Sequence, residues 1–435
     1  MKIVSKSSAN AMLALALTAG AVVSSAQAGA AEATWITTWT ASPQPVWGAD
    51  FLFPSNIPAT LRDQTVRQVA RVSLGGKRVR IVLSNAYGTQ PIVVGKATIA
   101  LPGADRDGGL INDSLRTTTF DGHETATILP GASLVSDPVA LSVPALGLVT
   151  VSVYLPGSTP VTTFHWDGRQ TGWIVAGDQT TVATAPASGP KAESTTARTL
   201  LSGVLVEASP TTQTIAVIGD SITDGATASL DKDSRWPDFL AARLAPYGVG
   251  VVNAGISGAR LLSDGMGVNA LARIDRDVLA QPGVKSVVVM LGINDISWPG
   301  TAFAPTSALP TFDALTAGYR QLIAQAHARG IRVIGATLTP FDGALPGTPL
   351  DNYYQPEKDA LRQRVNAWIR DGGAFDAVVD FDAALRDPAH PSRMNARFDS
   401  GDHLHPGDEG NRAMAETVDL NALLPGINNT HSARR

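Results

Sequence analysis

From about Trp35 to about Ala208, apolar and polar positions alternate in short runs separated by turn clusters such as "PGADRDGG" and "LPGST". In "LVTVSVYLP", Val149, Val151, Val153 and Leu155 fall on one face and Thr150, Ser152 and Tyr154 on the other, the period of a half-buried strand. "VRQVARVSLGGKRVRIVLSNAYG" holds two β-branched runs around Gly75-Gly76, which predicts a hairpin. No helical spacing competes here, so residues 31–208 read as a β-sandwich or jelly-roll-like domain. "ASGPKAESTTARTL" then reads as a polar bridge.

Beyond "SPTTQ" the rhythm changes. The nearly all-apolar runs "TIAVIG", "GVVNAG", "KSVVVMLG", "IRVIGATL" and "AVVDFD" alternate with segments of helical spacing. Those segments are "RWPDFLAARLA", "TFDALTAGYRQLIAQAHARG" and "PEKDALRQRVNAWIRDGG". Buried strands alternating with helices predict a parallel sheet covered on both faces over residues 209–425. Ligands of such sheets bind at the carboxyl ends of the strands. Three of those ends carry "GDS", "NAGISG" and "GIND".

Composition narrows the function. The 435 residues carry a net charge of -4 with 17% charged positions, which argues against nucleic acid or an anionic membrane surface as partner. The first 30 residues read as a signal peptide. Lys2 and Lys6 precede the apolar "AMLALALTAGAVV", and "SSAQAGA" offers cleavage after Ala28 or Ala30. The mature chain is therefore expected to be secreted or periplasmic, without stable membrane association. With 0 Cys, thiolate chemistry and cysteine metal sites are excluded. The end of the chain, residues 426–435, reads as a disordered tail.

Ser221, just past the "IAVIG" strand, fits either a helix cap or a nucleophile. Asp220 beside it reads as a group bracing the strand-to-helix turn. A serine nucleophile needs a base and a third group to orient that base. "GDHLHPGDEG" offers His405 with Asp402 three residues earlier, while His403 competes as the base. The same cluster also fits metal ligation. Gly255 admits a close backbone N–H and Asn294 a side-chain amide donor, the groups an oxyanion requires.

"GDSITDG", "NAGISG", "GIND" and "DHLH" resemble, in order and approximate spacing, the four sequence blocks of the SGNH hydrolases, or GDSL esterase/lipase family. The resemblance spans about residues 214–422. It implies a flavodoxin-like three-layer α/β/α sandwich and a serine esterase that needs no cofactor or metal. Ser221 would be the nucleophile, His405 the base and Asp402 its orienting acid. Ser221 N–H, Gly255 N–H and the Asn294 side chain would form the oxyanion hole. Ile222-Thr223 departs from the leucine of the family acronym without touching these roles.

"TWTASPQP", "VRIVLSNAYG" and "TFHWDGRQTGWIVAGD" resemble a secreted arylesterase/acylhydrolase branch with an extra N-terminal β domain. Within the last segment His165, Trp166, Arg169, Gln170 and Trp173 crowd together. They fit either a surface contacting an ester or sugar or a packing patch between domains. The expected substrates are short-chain acyl or aryl esters, small or on a polysaccharide such as acetylated xylan. "SWPGTAFAPTSALP" is placed to cover the site but is short and mixed. Two rival readings stand beside the esterase. One is a metal-dependent phosphoesterase using Asp220, Asp402, His403 and His405; the other is a carbohydrate-binding protein on an inactive esterase fold.

Overall fold

The alternation of the first half folds into two antiparallel sheets. One holds, in spatial order, Thr34–Thr40, Leu201–Ala208, Val79–Ser84 and Ser133–Val135. The other holds Ala192–Thr195, Gly172–Ala176, Gln64–Arg71, Leu148–Leu155, Lys96–Ala100 and Arg116–Thr118. Ile36, Ile81 and Val204 of the first meet Val66, Ile99 and Val151 of the second in one apolar core, which makes a β-sandwich. The structure, a computed structural model, describes residues 1–2, 33–105, 107–185 and 192–427. Apart from residues 1–2, 426 and 427, the leader and tail read from the sequence lie outside the described residues.

In Leu148–Leu155 the valines and Leu155 enter the core as the alternation requires. The opposite face is covered as well: Thr150 and Ser152 are buried, and Ser152 Oγ accepts from the buried Arg67 Nε at 3.0 Å. Two expectations fail. Gly75-Gly76 closes no hairpin, because Gln64–Arg71 and Val79–Ser84 lie in different sheets and the glycines carry the chain between them. Gly76 exchanges two backbone hydrogen bonds with Val143, each 2.9 Å, and a Cβ on Gly75 would stand 2.4 Å from the Val143 carbonyl oxygen. The pair serves close packing of backbones, so its turn signal misleads. The supposed polar bridge also contains structure: Ala192–Thr195 is an edge strand paired with Gly172–Ala176. Edge strands tolerate polar residues because one side has no ladder partner.

In the second half the strands Gln213–Gly219, Val249–Gly255, Val284–Met290, Arg332–Ala336 and Ala377–Val379 form one parallel sheet. Numbered along the chain, their order is 2-1-3-4-5, the flavodoxin-like winding. Successive residues of each strand serve opposite layers. Ala216, Ile218, Val287 and Val289 pack with Leu315, Leu322, Val365 and Ile369 from the helices Phe312–His327 and Pro356–Asp371. Ile215, Val217, Val288 and Met290 pack with Trp236, Leu240 and Met414 from the helices Trp236–Leu244 and Asp408–Thr417. This is a three-layer α/β/α sandwich.

The described residues from Thr34 to Ile427 form one compact unit. The β half covers the edge strand Val249–Gly255 of the parallel sheet. Ser73 Oγ accepts from Val251 N–H at 3.0 Å, and Thr40 Oγ1 donates to the Asn253 carbonyl at 2.8 Å. These side chains satisfy backbone groups that an exposed edge would leave open. Among the described residues no helix is long and apolar enough to cross a membrane.

Candidate functional site

The first, second and third strands of the parallel sheet end side by side, where the winding reverses direction. The loops leaving them therefore spread apart and leave a crevice. Ser221 begins the short helix Ser221–Asp224 directly after the strand Gln213–Gly219. Asp220 is the N-cap: its Oδ1 accepts Ile222 N–H at 3.0 Å. Burial pushes the Asp220 carboxyl up to about 7, against the pull of the Ile222 N–H and of His405. The backbone N–H of Ser221, in the first turn, has no acceptor within the helix.

Ser221 Oγ lies 2.8 Å from His405 Nε2, and His405 Nδ1 lies 2.6 Å from Asp402 Oδ2. The other Asp402 oxygen accepts the N–H groups of Leu404 (3.0 Å) and His405 (2.8 Å). Burial opposes ionisation of Asp402. Even so, the hydrogen bond and attraction from His405, with these two N–H groups, hold its carboxyl well below the usual range. His403 takes no part. Its ring pairs with Asp399 on the exposed side of the loop. The divergence expected of alternate residues thus picks His405 as the neighbour of Ser221. Among the described residues no three His, Cys, Asp or Glu side chains converge as a metal site, so the set Asp220, Asp402, His403 and His405 is not assembled.

The Asn294 side chain is buried and its orientation is fixed. Its Oδ1 accepts from Trp298 Nε1 at 2.9 Å and from Tyr353 OH at 2.8 Å, and an indole nitrogen can only donate. Its Nδ2 donates one hydrogen to the Ala259 carbonyl at 3.0 Å, which leaves a second N–H. Gly255 corrects an expectation. Its N–H donates to Asn253 Oδ1 at 2.8 Å, and its Cα packs against the backbone of Asp224. It therefore offers no free donor. Gly258, three residues on, lines the same cavity as Ser221, Asn294 and His405. Its φ of 71° turns the backbone into a left-handed conformation, and its N–H has no acceptor among the described residues. The sequence carried this signal in the second glycine of "NAGISG".

These groups border a cavity of about 310 Å³ whose remaining lining is mostly apolar, including Phe53, Trp166, Met266, Trp298, Phe303 and Leu404. A larger depression of about 770 Å³ lies at the opposite ends of the strands, beside Gln213, Lys285 and Arg332, and holds none of the groups above. Residues 215–418 match the model of the GDSL-like lipase/acylhydrolase family. This stretch is a GDSL acylhydrolase domain. It makes the protein a carboxylic ester hydrolase.

Solved structures similar to the chain include a GDSL-like lipase from Bacteroides thetaiotaomicron (18% identity, covering 51% of this chain and 89% of that one, TM-score 0.35). An acetylxylan esterase from Geobacillus stearothermophilus is similar at 23% identity, covering 47% and 91%, with a TM-score of 0.33. No curated protein matches the chain.

Of the aromatic and polar cluster preceding the GDSL domain, only Trp166 reaches the cavity. His165 is buried between the halves: Nε2 lies 2.9 Å from Asp224 Oδ1 and Nδ1 lies 3.1 Å from the Ser42 carbonyl. Asp224 Oδ2 in turn accepts Ser257 N–H (2.9 Å) and Ser257 Oγ (2.8 Å), beside Gly258. Gln170 is buried between Arg198 (2.9 Å) and Asp233 (2.6 Å). Both therefore pack the halves together and contact no substrate space. Sequence reading missed Phe53, whose loop has no periodicity to mark it. "SWPGTAFAPTSALP" supplies Trp298 and Phe303 to the cavity wall.

Proposed function

We propose that the GDSL domain hydrolyses carboxylic esters through an acyl-enzyme on Ser221, with His405 as base and Asp402 as the group that orients it. The observation that carries this reading is the unbroken run Ser221 Oγ–His405–Asp402 at 2.8 and 2.6 Å. His405 takes the Ser221 proton as Oγ attacks the ester carbonyl. The carbonyl oxygen becomes an oxyanion held by the N–H of Ser221, the N–H of Gly258 and the free N–H of Asn294. His405 then protonates the departing alcohol and activates water to release the acid. Asp402, accepting on both oxygens, keeps Nδ1 protonated and Nε2 available to Ser221.

The mainly apolar cavity favours small aryl and aliphatic esters over acetyl groups on a polysaccharide, which call for an open polar cleft. The leader-like first 30 residues support export. Sequencing the N-terminus of the exported protein should find Gly29 or Ala31. Ser221→Ala should abolish hydrolysis of p-nitrophenyl acetate and labelling by a fluorophosphonate, with the fold unchanged by circular dichroism. Near-normal turnover in that variant sinks the assignment. Loss of wild-type activity in EDTA without fluorophosphonate labelling would favour the metal-dependent alternative.

A further inference from the structure

The cavity beside Ser221 is not enclosed by the GDSL domain alone. Leu52, Phe53 and Trp166, all outside residues 215–418, complete its lining. Phe53 stacks on Trp166 with centroids 5.5 Å apart and meets Phe303 edge-on at 5.3 Å. Phe303 lies 4.5 Å from Trp298, whose indole donates to Asn294. A continuous aromatic wall therefore runs from the β half to the Asn294 amide.

That wall is rigid. Trp47 Nε1 donates to the Phe53 carbonyl at 2.7 Å and Trp166 Nε1 to the Pro54 carbonyl at 2.9 Å. The loop around Phe53 is thus tied down by two indoles, although Phe53, Trp166 and Phe303 all remain partly open to the cavity. Aromatic faces left partly uncovered around a preformed concavity are a feature of ligand pockets.

The chemistry of the reaction sets which part of an ester faces His405. In the tetrahedral intermediate, the leaving oxygen must face His405 to receive its proton, and His405 stands with Leu404 and Leu345. The oxyanion faces Gly258 and Asn294. The acyl carbon is attached within the same cavity, whose apolar lining includes Met266, Trp298, Phe303, Phe53 and Trp166.

We propose that this wall is an acyl-binding pocket, and that the β half selects esters whose acyl part is a bulky apolar group, an aromatic ring or a chain of about six carbons. The proposal rests on the hydrolase reading above and names its substrate class. A cavity of about 310 Å³ is at the small end of sites that hold drug-sized ligands and far exceeds an acetyl group. Each methylene it buries raises kcat/KM by about fourfold.

The test uses the full chain on p-nitrophenyl acetate, butanoate, hexanoate and benzoate, and separately on hexanoate esters of different alcohols. Hexanoate or benzoate should exceed acetate by tenfold or more in kcat/KM, by about fourfold per methylene. Phe53→Ala and Trp166→Ala should each lower the hexanoate-to-acetate ratio by about tenfold. Phe53→Leu and Trp166→Phe, which keep apolar bulk and guard against misfolding, should retain most of it. A wild-type preference for acetate, a ratio unchanged in all four variants, or a response that follows the alcohol overturns the pocket. Each of these leaves the hydrolase reading intact, because that reading fails only if Ser221→Ala keeps its activity.

Discussion

At the scale of single residues, the site depends on side chains that hold other side chains. Asn294→Ala should lower kcat by about 10²–10³ if its amide stabilises the oxyanion. Tyr353→Phe removes one of the two donors on Asn294 Oδ1. It should cost about tenfold in kcat with KM little changed, since only the aim of the amide is loosened. Burial holds the Tyr353 hydroxyl pKa well above its usual range, so it remains a donor across the working pH range. His165 gives a pH-dependent prediction. Burial lowers its pKa, but the charge and hydrogen bond of Asp224, with the Ser42 carbonyl, outweigh both burial and Arg198 and raise it overall. A histidine whose folded pKa is raised adds stability that is complete below its unfolded value of about 6.5 and disappears as pH rises through the folded value. His165→Gln should therefore destabilise the protein by about 3 kcal/mol at pH 5.5, and the gap from wild type should narrow by pH 9 in thermal melts. A gap that widens with pH would contradict the charged pair. The meeting of Ser221, Asp402 and His405 was legible in the sequence because few histidines compete. Gly258 was not, because either glycine of "NAGISG" satisfies a spacing argument and only backbone direction separates them. His165 and Gln170 looked like substrate groups because sequence cannot tell a buried polar strut from a binding surface.

At the scale of elements, the loop bearing Asp402 and His405 is shaped by Asp399. That carboxylate accepts the N–H groups of Gly401 (2.8 Å) and His403 (3.0 Å) and pairs with the His403 ring. The loop is also anchored by Leu345 N–H on the Asp402 carbonyl at 2.8 Å. Asp399→Ala should lower kcat by about ten- to a hundredfold with a smaller change in KM, because a base displaced by a fraction of an ångström loses its alignment. An effect confined to KM would show that the loop holds its shape without Asp399. The strands and helices of the second half were readable because apolar runs and 3.6-residue spacing both follow directly from burial. Phe312–His327 even begins where Thr311 caps it, with Oγ1 accepting Ala314 N–H at 3.1 Å. The first half was readable as strands but not as pairings. Alternation gives a face to each strand and no partner, so Gly75-Gly76 passed for a turn and Ala192–Thr195 for a linker.

At the scale of the whole molecule, the β half is built into the hydrolase. It covers the edge strand Val249–Gly255, supplies the His165 strut to Asp224, and lines the cavity through Phe53 and Trp166. Calorimetry of the chain should show one unfolding transition; two separate transitions would mean that the halves are independent. This integration could not be read from the sequence, where the break in rhythm near residue 208 looks like a boundary. The first sheet also places Thr34 opposite Ala208, and Thr40 opposite Gly203. The opening strand of the β half thus has as its neighbour the last strand of that half, on the far side of the whole sandwich sequence. During synthesis, Thr34–Thr40 waits unpaired until residue 208 has emerged, and closing so long a loop precedes any gain from the pairing. The protein should be a slow folder of high contact order, with an early vulnerable state in which a strand bearing Trp35, Ile36 and Trp39 has no mate.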